Sequence, residues 1–268
     1  WRQKLIVGSI AALTFVSPAH GLLAVAVLTP LGTFLESVTR LPYRLSEAFV
    51  FAFLGSWLLR AASDRRGPKM PAAMAAAGWL LGLAAAASVC AVAWRLRADP
   101  EEMAGLRAWL LQAYYVTPDR VGFVDAARLI EGLALGAATI YLFRRRPSLA
   151  VSLPAARCAS GALAAAAGLL VWSGFGPAPL VERFTRFGYR SAHIADLNAA
   201  GSYFALVACL ALGMTLRAGG LRRAIWLAPA ALAFVGLWFT ESRSALMAVG
   251  VVVGLAAAWM LSARWPLR

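Results

Sequence analysis

The stretch "LNAAGSYFALVACLALGMTL", Leu197 to Leu216, carries no charged side chain from one end to the other. Its apolar residues run on without alternating, and they are mainly Ala, Leu, Val and Gly, so the stretch reads as a helix rather than a half-buried strand. About 20 such residues cross the roughly 30 Å hydrocarbon core of a bilayer. In lipid the backbone must satisfy its own hydrogen bonds, which leaves helices or closed barrels, and the continuous pattern selects helices.

Comparable runs recur on both sides of this one. Further spans are expected at Leu45–Leu59, Ala72–Trp94, Ala126–Phe143, Cys158–Phe175, Ile225–Phe239 and Ala245–Leu261. A first apolar stretch, Leu5–Leu35, is broken by "SPAH" (Ser17 to His20). It is either two short helices in a hairpin or one kinked span, because Pro18 interrupts the helix ladder. The expectation is an all-α, polytopic transmembrane bundle of about eight or nine spans, forming one membrane-embedded domain over residues 1–268. Composition agrees: 61% of residues are hydrophobic and 14% charged, with mean hydropathy +0.71, too little polar surface for a soluble domain of this length.

A net charge of +14 raises the question of nucleic acid. The arginines fall in short clusters between apolar spans, which argues against a nucleic-acid partner and for the membrane itself. Cys90, Cys158 and Cys209 lie inside or at the ends of spans, an odd set with no disulfide framework and no metal spacing, read as packing residues. No metal or cofactor is expected. The chain opens on Trp1 rather than Met and stops at "ARWPLR" just after an apolar run, so a portion of a longer protein is expected. The first apolar stretch lacks a small-residue cleavage site and is not read as a signal peptide.

Orientation follows from the connecting segments. One set holds Arg60, Arg65, Arg66 and Lys69, then Arg144, Arg145, Arg146 and Arg157, then Arg217, Arg222 and Arg223, then Arg264 and Arg268. That makes 13 basic residues with one acid, Asp64. The opposite set holds 11 basic residues and 11 acids. Short acid-poor basic clusters at span ends mark the cytoplasmic side. Segments 95–125 and 174–196 and the "TESRS" turn (Thr240 to Ser244) therefore fall outside. Within the first, "EEMAGLRAWLLQAYY" spaces Met103, Leu106, Trp109, Leu110 and Ala113 as an interfacial amphipathic helix or a loop helix packed on the bundle. Small residues in "AAMAAAGWLLGLAAAA" suit close helix packing in lipid.

The polar residues concentrate just before the Leu197 span. In "RFGYRSAHIADLNAAG", Arg186, Arg190, His193 and Asp196 precede Asn198 and Gly201. His193 and Asp196, three apart, share a face if helix has begun, and Asp196 is also a candidate N-cap. Gly201 permits a close neighbour. Arg243, in "TESRSALMA", can lie beside the start of the Leu197 span, with Glu241 as a possible bland partner. Arg128 and Glu131, three apart near the start of the Ala126 span, can neutralise each other. Arg186 is also readable as an anchor snorkelling to lipid phosphate. An outer pocket with several arginines favours a polyanion, because guanidinium forks grip pyrophosphate bidentately and stay charged when desolvated.

These segments resemble the O-antigen ligase and O-antigen polymerase superfamily. "RFGYRSAHIADLNAAGSYFALVACLALG" (Arg186 to Gly213) is similar to that family's Arg–x–x–Gly/His–x–x–(Asp/Pro)–Asn–x–x–Gly segment, and "TESRSALMA" to its Thr–x–Ser–Arg–(Gly/Ser)–Ala–Leu turn, one helix downstream. "LTPLG" (Leu28 to Gly32) and "LSEAFVFAFLGSWLLR" (Leu45 to Arg60) resemble its early helices. The resemblance implies a multi-pass protein of the bacterial inner (cytoplasmic) membrane whose active face is periplasmic. It implies a metal-independent glycosyltransferase that moves a glycan from undecaprenyl pyrophosphate to a sugar hydroxyl, on lipid A core or another glycan. By position, Arg190 and Arg243 would bind pyrophosphate, and Asn198 would orient the start of the helix. Family members carry a large outer loop with a catalytic His and then more helices, which would lie beyond Arg268. Among the residues in hand only His193 and Asp196 can serve as general base. The competing expectation, a transporter or lipid-linked glycan flippase, calls for internal repeats and broken helices near mid-membrane.

Overall fold

The computed structural model describes residues 2–39, 45–63, 76, 79–84, 86, 87, 90, 91, 94, 121–176, 178, 181 and 197–264. Every regular element among them is helical. We label the helices α1 (Arg2–Val16), α2 (Pro18–Leu28), α3 (Gly32–Thr39), α4 (Leu45–Ser63), α5 (Val121–Arg145), α6 (Leu149–Trp172), α7 (Leu197–Arg217), α8 (Leu221–Thr240) and α9 (Arg243–Arg264), with a 3₁₀ turn at Thr29–Leu31. Four of them, α4, α6, α7 and α8, are long and apolar enough to cross a membrane, while Lys4–Val16, Pro18–Leu31 and Arg243–Ala258 are shorter apolar helices. This is the make-up of a helical membrane protein.

The chain packs as two compact units, Trp1–Leu59 with Arg146–Arg268, and Arg60–Arg145. In the second unit α5 ends in Arg144 and Arg145, where cations suit the helix dipole. The Arg145 guanidinium lies 4.7 Å from the Tyr141 ring centre, a cation–π contact. Within the expected Ala72–Trp94 span, residues 76, 79–84, 86, 87, 90, 91 and 94 are described and helical; the helix expected within 101–115 lies outside the described residues.

In the first unit the "SPAH" break turns the chain back on itself. Ser17 takes an extended conformation (φ −143, ψ 93) and Pro18, which needs no N–H partner, starts α2. Gly21 packs against the backbone of buried Thr14, a contact that a merely kinked helix would not make. Of the two expectations for Leu5–Leu35, the folded-back pair is the one observed. The start of α4 is held by Glu36, whose carboxylate accepts the Leu45 N–H at 2.6 Å. Negative charge at a helix N-terminus is favourable. Ser46 Oγ donates to the Thr29 carbonyl at 2.9 Å.

The core of this unit is a helical layer built on small residues. Ala164, Ala165, Ala205, Ala208, Ala233 and Ala245 cluster with Leu31, Phe204, Val207, Leu237 and Val249. A Cβ on Gly236 would lie 2.5 Å from the Phe204 ring, so only glycine lets that ring seat against α8. Such close approach is how helices associate where lipid removes the hydrophobic drive. Gly161 meets Val207, and Cys158 clusters with Ala211, so α7 runs antiparallel to α6. By the Gly236–Phe204 and Thr240–Gly201 contacts it also runs antiparallel to α8. Ser160 Oγ donates to the Val27 carbonyl at 2.8 Å and Leu31 joins the cluster of Ala164, so α2 runs in the direction of α6. The starts of α2, α6 and α8 therefore share one end of the unit with the finish of α7.

The two largest departures from the expected boundaries are helix starts. α6 begins at Leu149 rather than Cys158, taking in Pro154 and Arg157. α5 begins at Val121 rather than Ala126, taking in the last residues of the expected outer segment. Proline inside a helix removes one backbone bond, and neighbouring helices in a bundle tolerate the loss. The α7 expectation, by contrast, differs from the observed helix by one residue at its end.

Candidate functional site

Thr240 closes α8 and Arg243 opens α9, so Glu241 and Ser242 alone make the turn. Glu241 adopts φ 52, ψ 17, the one non-glycine with positive φ among the described residues. For a residue with a Cβ, that left-handed conformation costs about 1–2 kcal/mol. Its N–H donates to the Trp238 carbonyl at 3.1 Å. The Ser242 carbonyl accepts the Leu246 N–H at 3.0 Å, the first bond of α9, so Ser242 holds the N-cap position.

The polar groups of this turn face inward. Thr240 is 1% and Ser242 4% exposed. Thr240 Oγ1 donates to the Leu237 carbonyl at 2.7 Å and accepts the Ser242 N–H at 3.4 Å. Ser242 Oγ donates to Asn198 Oδ1 at 3.4 Å and lies 3.3 Å from Ser244 Oγ. Gly201, one turn beyond Asn198, makes this approach possible. A Cβ there would stand 2.5 Å from the Ser242 Cβ and 3.1 Å from Thr240 Oγ1. The opening turn of α7 and the α8–α9 turn, 44 residues apart from Asn198 to Ser242, are thus in direct contact.

Charge lies on the outer side of this contact. Arg243, first residue of α9, is exposed and has no ion-pair partner among the described residues. Glu241 is exposed as well. Asn198, Gly201, Glu241 and Arg243 are therefore brought together. Arg186, Arg190, His193 and Asp196 lie outside the described residues. Arg128 is on α5, with its side chain outside them too, and Glu131 is half-buried. Among the described residues no three His, Cys, Asp or Glu side chains gather as metal ligands.

Sequence reasoning missed a second polar group. Arg157, expected in a connecting segment, sits two turns inside α6 and is half-buried. Ser160, fully buried, lies three residues on, the spacing that puts both on one helix face. Tyr203 of α7 directs its hydroxyl to the Arg157 carbonyl at 3.5 Å. The available signal was the three-residue spacing of Arg157 and Ser160, hidden because Pro154 reads as a helix stop.

Comparison with protein families, with curated proteins and with solved structures finds no match to the chain.

Proposed function

We propose that the chain belongs to a bacterial inner-membrane glycosyltransferase of the O-antigen ligase or polymerase type, with eight or nine spans and its active face periplasmic. The observation that supports this reading is the contact of Asn198 and Gly201 with the Thr240–Ser244 turn, the two segments that carry the resemblance, on which Arg243 stands exposed. Left-handed Glu241 adds weight, since conformations of this cost concentrate at working sites.

In this reading the donor is a glycan on undecaprenyl pyrophosphate. The bond between the anomeric carbon and the phosphate oxygen breaks, and a bond to the acceptor hydroxyl oxygen forms. The hydroxyl proton passes to a base, His193 or Asp196, and undecaprenyl pyrophosphate leaves. Arg190, Arg243 and Arg186 stabilise the charge on the departing group, which is electrostatic catalysis. Asn198, Gly201 and Glu241 shape the site. The acceptor is a sugar hydroxyl, on lipid A core or on another glycan.

Replacement of Arg190 or Arg243 by Ala is expected to lower glycan transfer at least about 100-fold, the scale of losing one charge-stabilising donor, with membrane insertion unchanged. Transfer to a surface glycan measured in cells carrying each variant decides it: normal polysaccharide from both variants removes the reading. A flippase is the second reading, and the interior position of Arg157, Ser160 and Tyr203 favours it. Movement of the lipid-linked glycan across vesicles with no new glycosidic bond separates the two.

A further inference from the structure

We propose that Arg157 binds a phosphate group within the bundle, at the end where α2, α6 and α8 begin and α7 finishes. The site is separate from the Asn198–Ser242 contact and does not rest on the transferase reading.

Arg157 follows the α6 start at Leu149 by eight residues, about 12 Å along the axis. α6 is apolar and 24 residues long, roughly 36 Å, against a hydrocarbon core of about 30 Å. The Arg157 backbone therefore sits well inside the apolar layer. Its flanks agree: Cys158 is 1% exposed and packs with Ala211 and Ala230. A charge at such a depth is costly and is retained when it has a counter-charge.

The protein does not supply that counter-charge among the described residues. No carboxylate among the described residues pairs with Arg157, and Tyr203 lies beside it. The Tyr203 hydroxyl is directed to the Arg157 carbonyl, not used as an acceptor for the guanidinium. Ser160 is likewise committed, donating to Val27. The guanidinium thus keeps its fork of donors for a ligand, and a helical side chain leans toward its helix N-terminus. That direction leads to the end where Arg146, Arg217 and Arg222 stand exposed. A planar fork of this kind fits phosphate bidentately. The phosphate comes either from an anionic lipid headgroup or from solution.

The full chain in phosphatidylcholine nanodiscs, with and without one-tenth phosphatidylglycerol, tests this by native mass spectrometry and thermal unfolding. Wild type is expected to retain one phosphatidylglycerol through delipidation and to unfold at a higher temperature when it is present. Arg157→Gln is expected to weaken that retention at least tenfold. Arg157→Lys, which keeps the charge without the fork, falls between and covers the case in which the Gln variant fails to fold. Arg222→Gln, exposed at the same end, leaves retention unchanged. Phosphatidylcholine discs with added inorganic phosphate form the other arm. Arg157-dependent stabilisation there, with no retained lipid, assigns the site to free phosphate. Equal retention by wild type, Arg157→Gln and Arg157→Lys, with no Arg157-dependent effect of inorganic phosphate, overturns the proposal.

Discussion

At its start α7 meets the α8–α9 turn through neutral groups, Asn198 and Gly201 against Ser242 and Thr240. At its finish Arg223 Nε donates to the Thr215 carbonyl at 3.4 Å, while Arg217 and Arg222 stand exposed. The difference is not explained by helix stability alone. Arg217 and the Arg223 contact suit the negative C-terminal end of α7, but Arg222 and Arg223 also lie in the first turn of α8, where cations are disfavoured by about 0.3–1 kcal/mol. Charge kept against that cost points to a demand from outside the helices, and a membrane face that selects Arg and Lys is such a demand. The neutral end, by contrast, is built for proximity: a missing Cβ, two buried hydroxyls and one strained residue hold a tight turn against a helix start.

Three substitutions sharpen that contrast. The largest stability effect is expected from Gly201→Val, which drives two methyl groups into Ser242 and Thr240. Overpacking of this kind costs about 1–3 kcal/mol. Thermal unfolding in detergent reads the loss, and an unshifted midpoint would mean that the α7–turn contact is loose and the neutral end is not built for proximity. Ser242→Ala is expected to cost about 1 kcal/mol, since it removes the part-buried Ser242 Oγ contacts with Asn198 Oδ1 and Ser244 Oγ. Its effect should nearly vanish in the Gly201→Val background, because the valine already separates the two segments; additive losses in the double-mutant cycle break the comparison. The smallest change is expected from Arg223→Gln at the basic end, a loss under about 0.5 kcal/mol, because the lost Thr215 carbonyl contact is partly offset by relief at the start of α8. That loss should shrink further at high salt, whereas the Gly201→Val loss should not.

The α7 boundaries were readable because hydropathy is a local property, and nothing in Leu197–Leu216 interrupts it. The α6 start was not, because Pro154 and Arg157 are both ordinary signs of a helix end in a single chain. Packing overrides them: α6 is flanked by α2, α7 and α8, and its interior Ser160 spends its hydroxyl on Val27. At the candidate site the spacing of "TESRS" and "LNAAG" indicated that two turns could meet, and Gly201 was the visible sign. That the meeting would use Ser242 and Thr240, with Arg243 left on the outside, had no sequence signal, since Ser and Thr in an apolar helix more often bond their own backbone. Arg157 reversed the expectation altogether, moving from a loop charge to an interior one.

By itself the sequence determined a helical chain suited to lipid, because run length, absence of charge and backbone self-satisfaction are properties summed along a few turns of chain. Which helices touch was decided only in three dimensions. Apolar helices look alike to hydropathy, and their partners are chosen by where a glycine or alanine opens room for a ring, a hydroxyl or another backbone. Gly236 receives Phe204 and Gly201 receives Ser242 for that reason, and such fit between surfaces far apart in sequence exists only once the helices have packed.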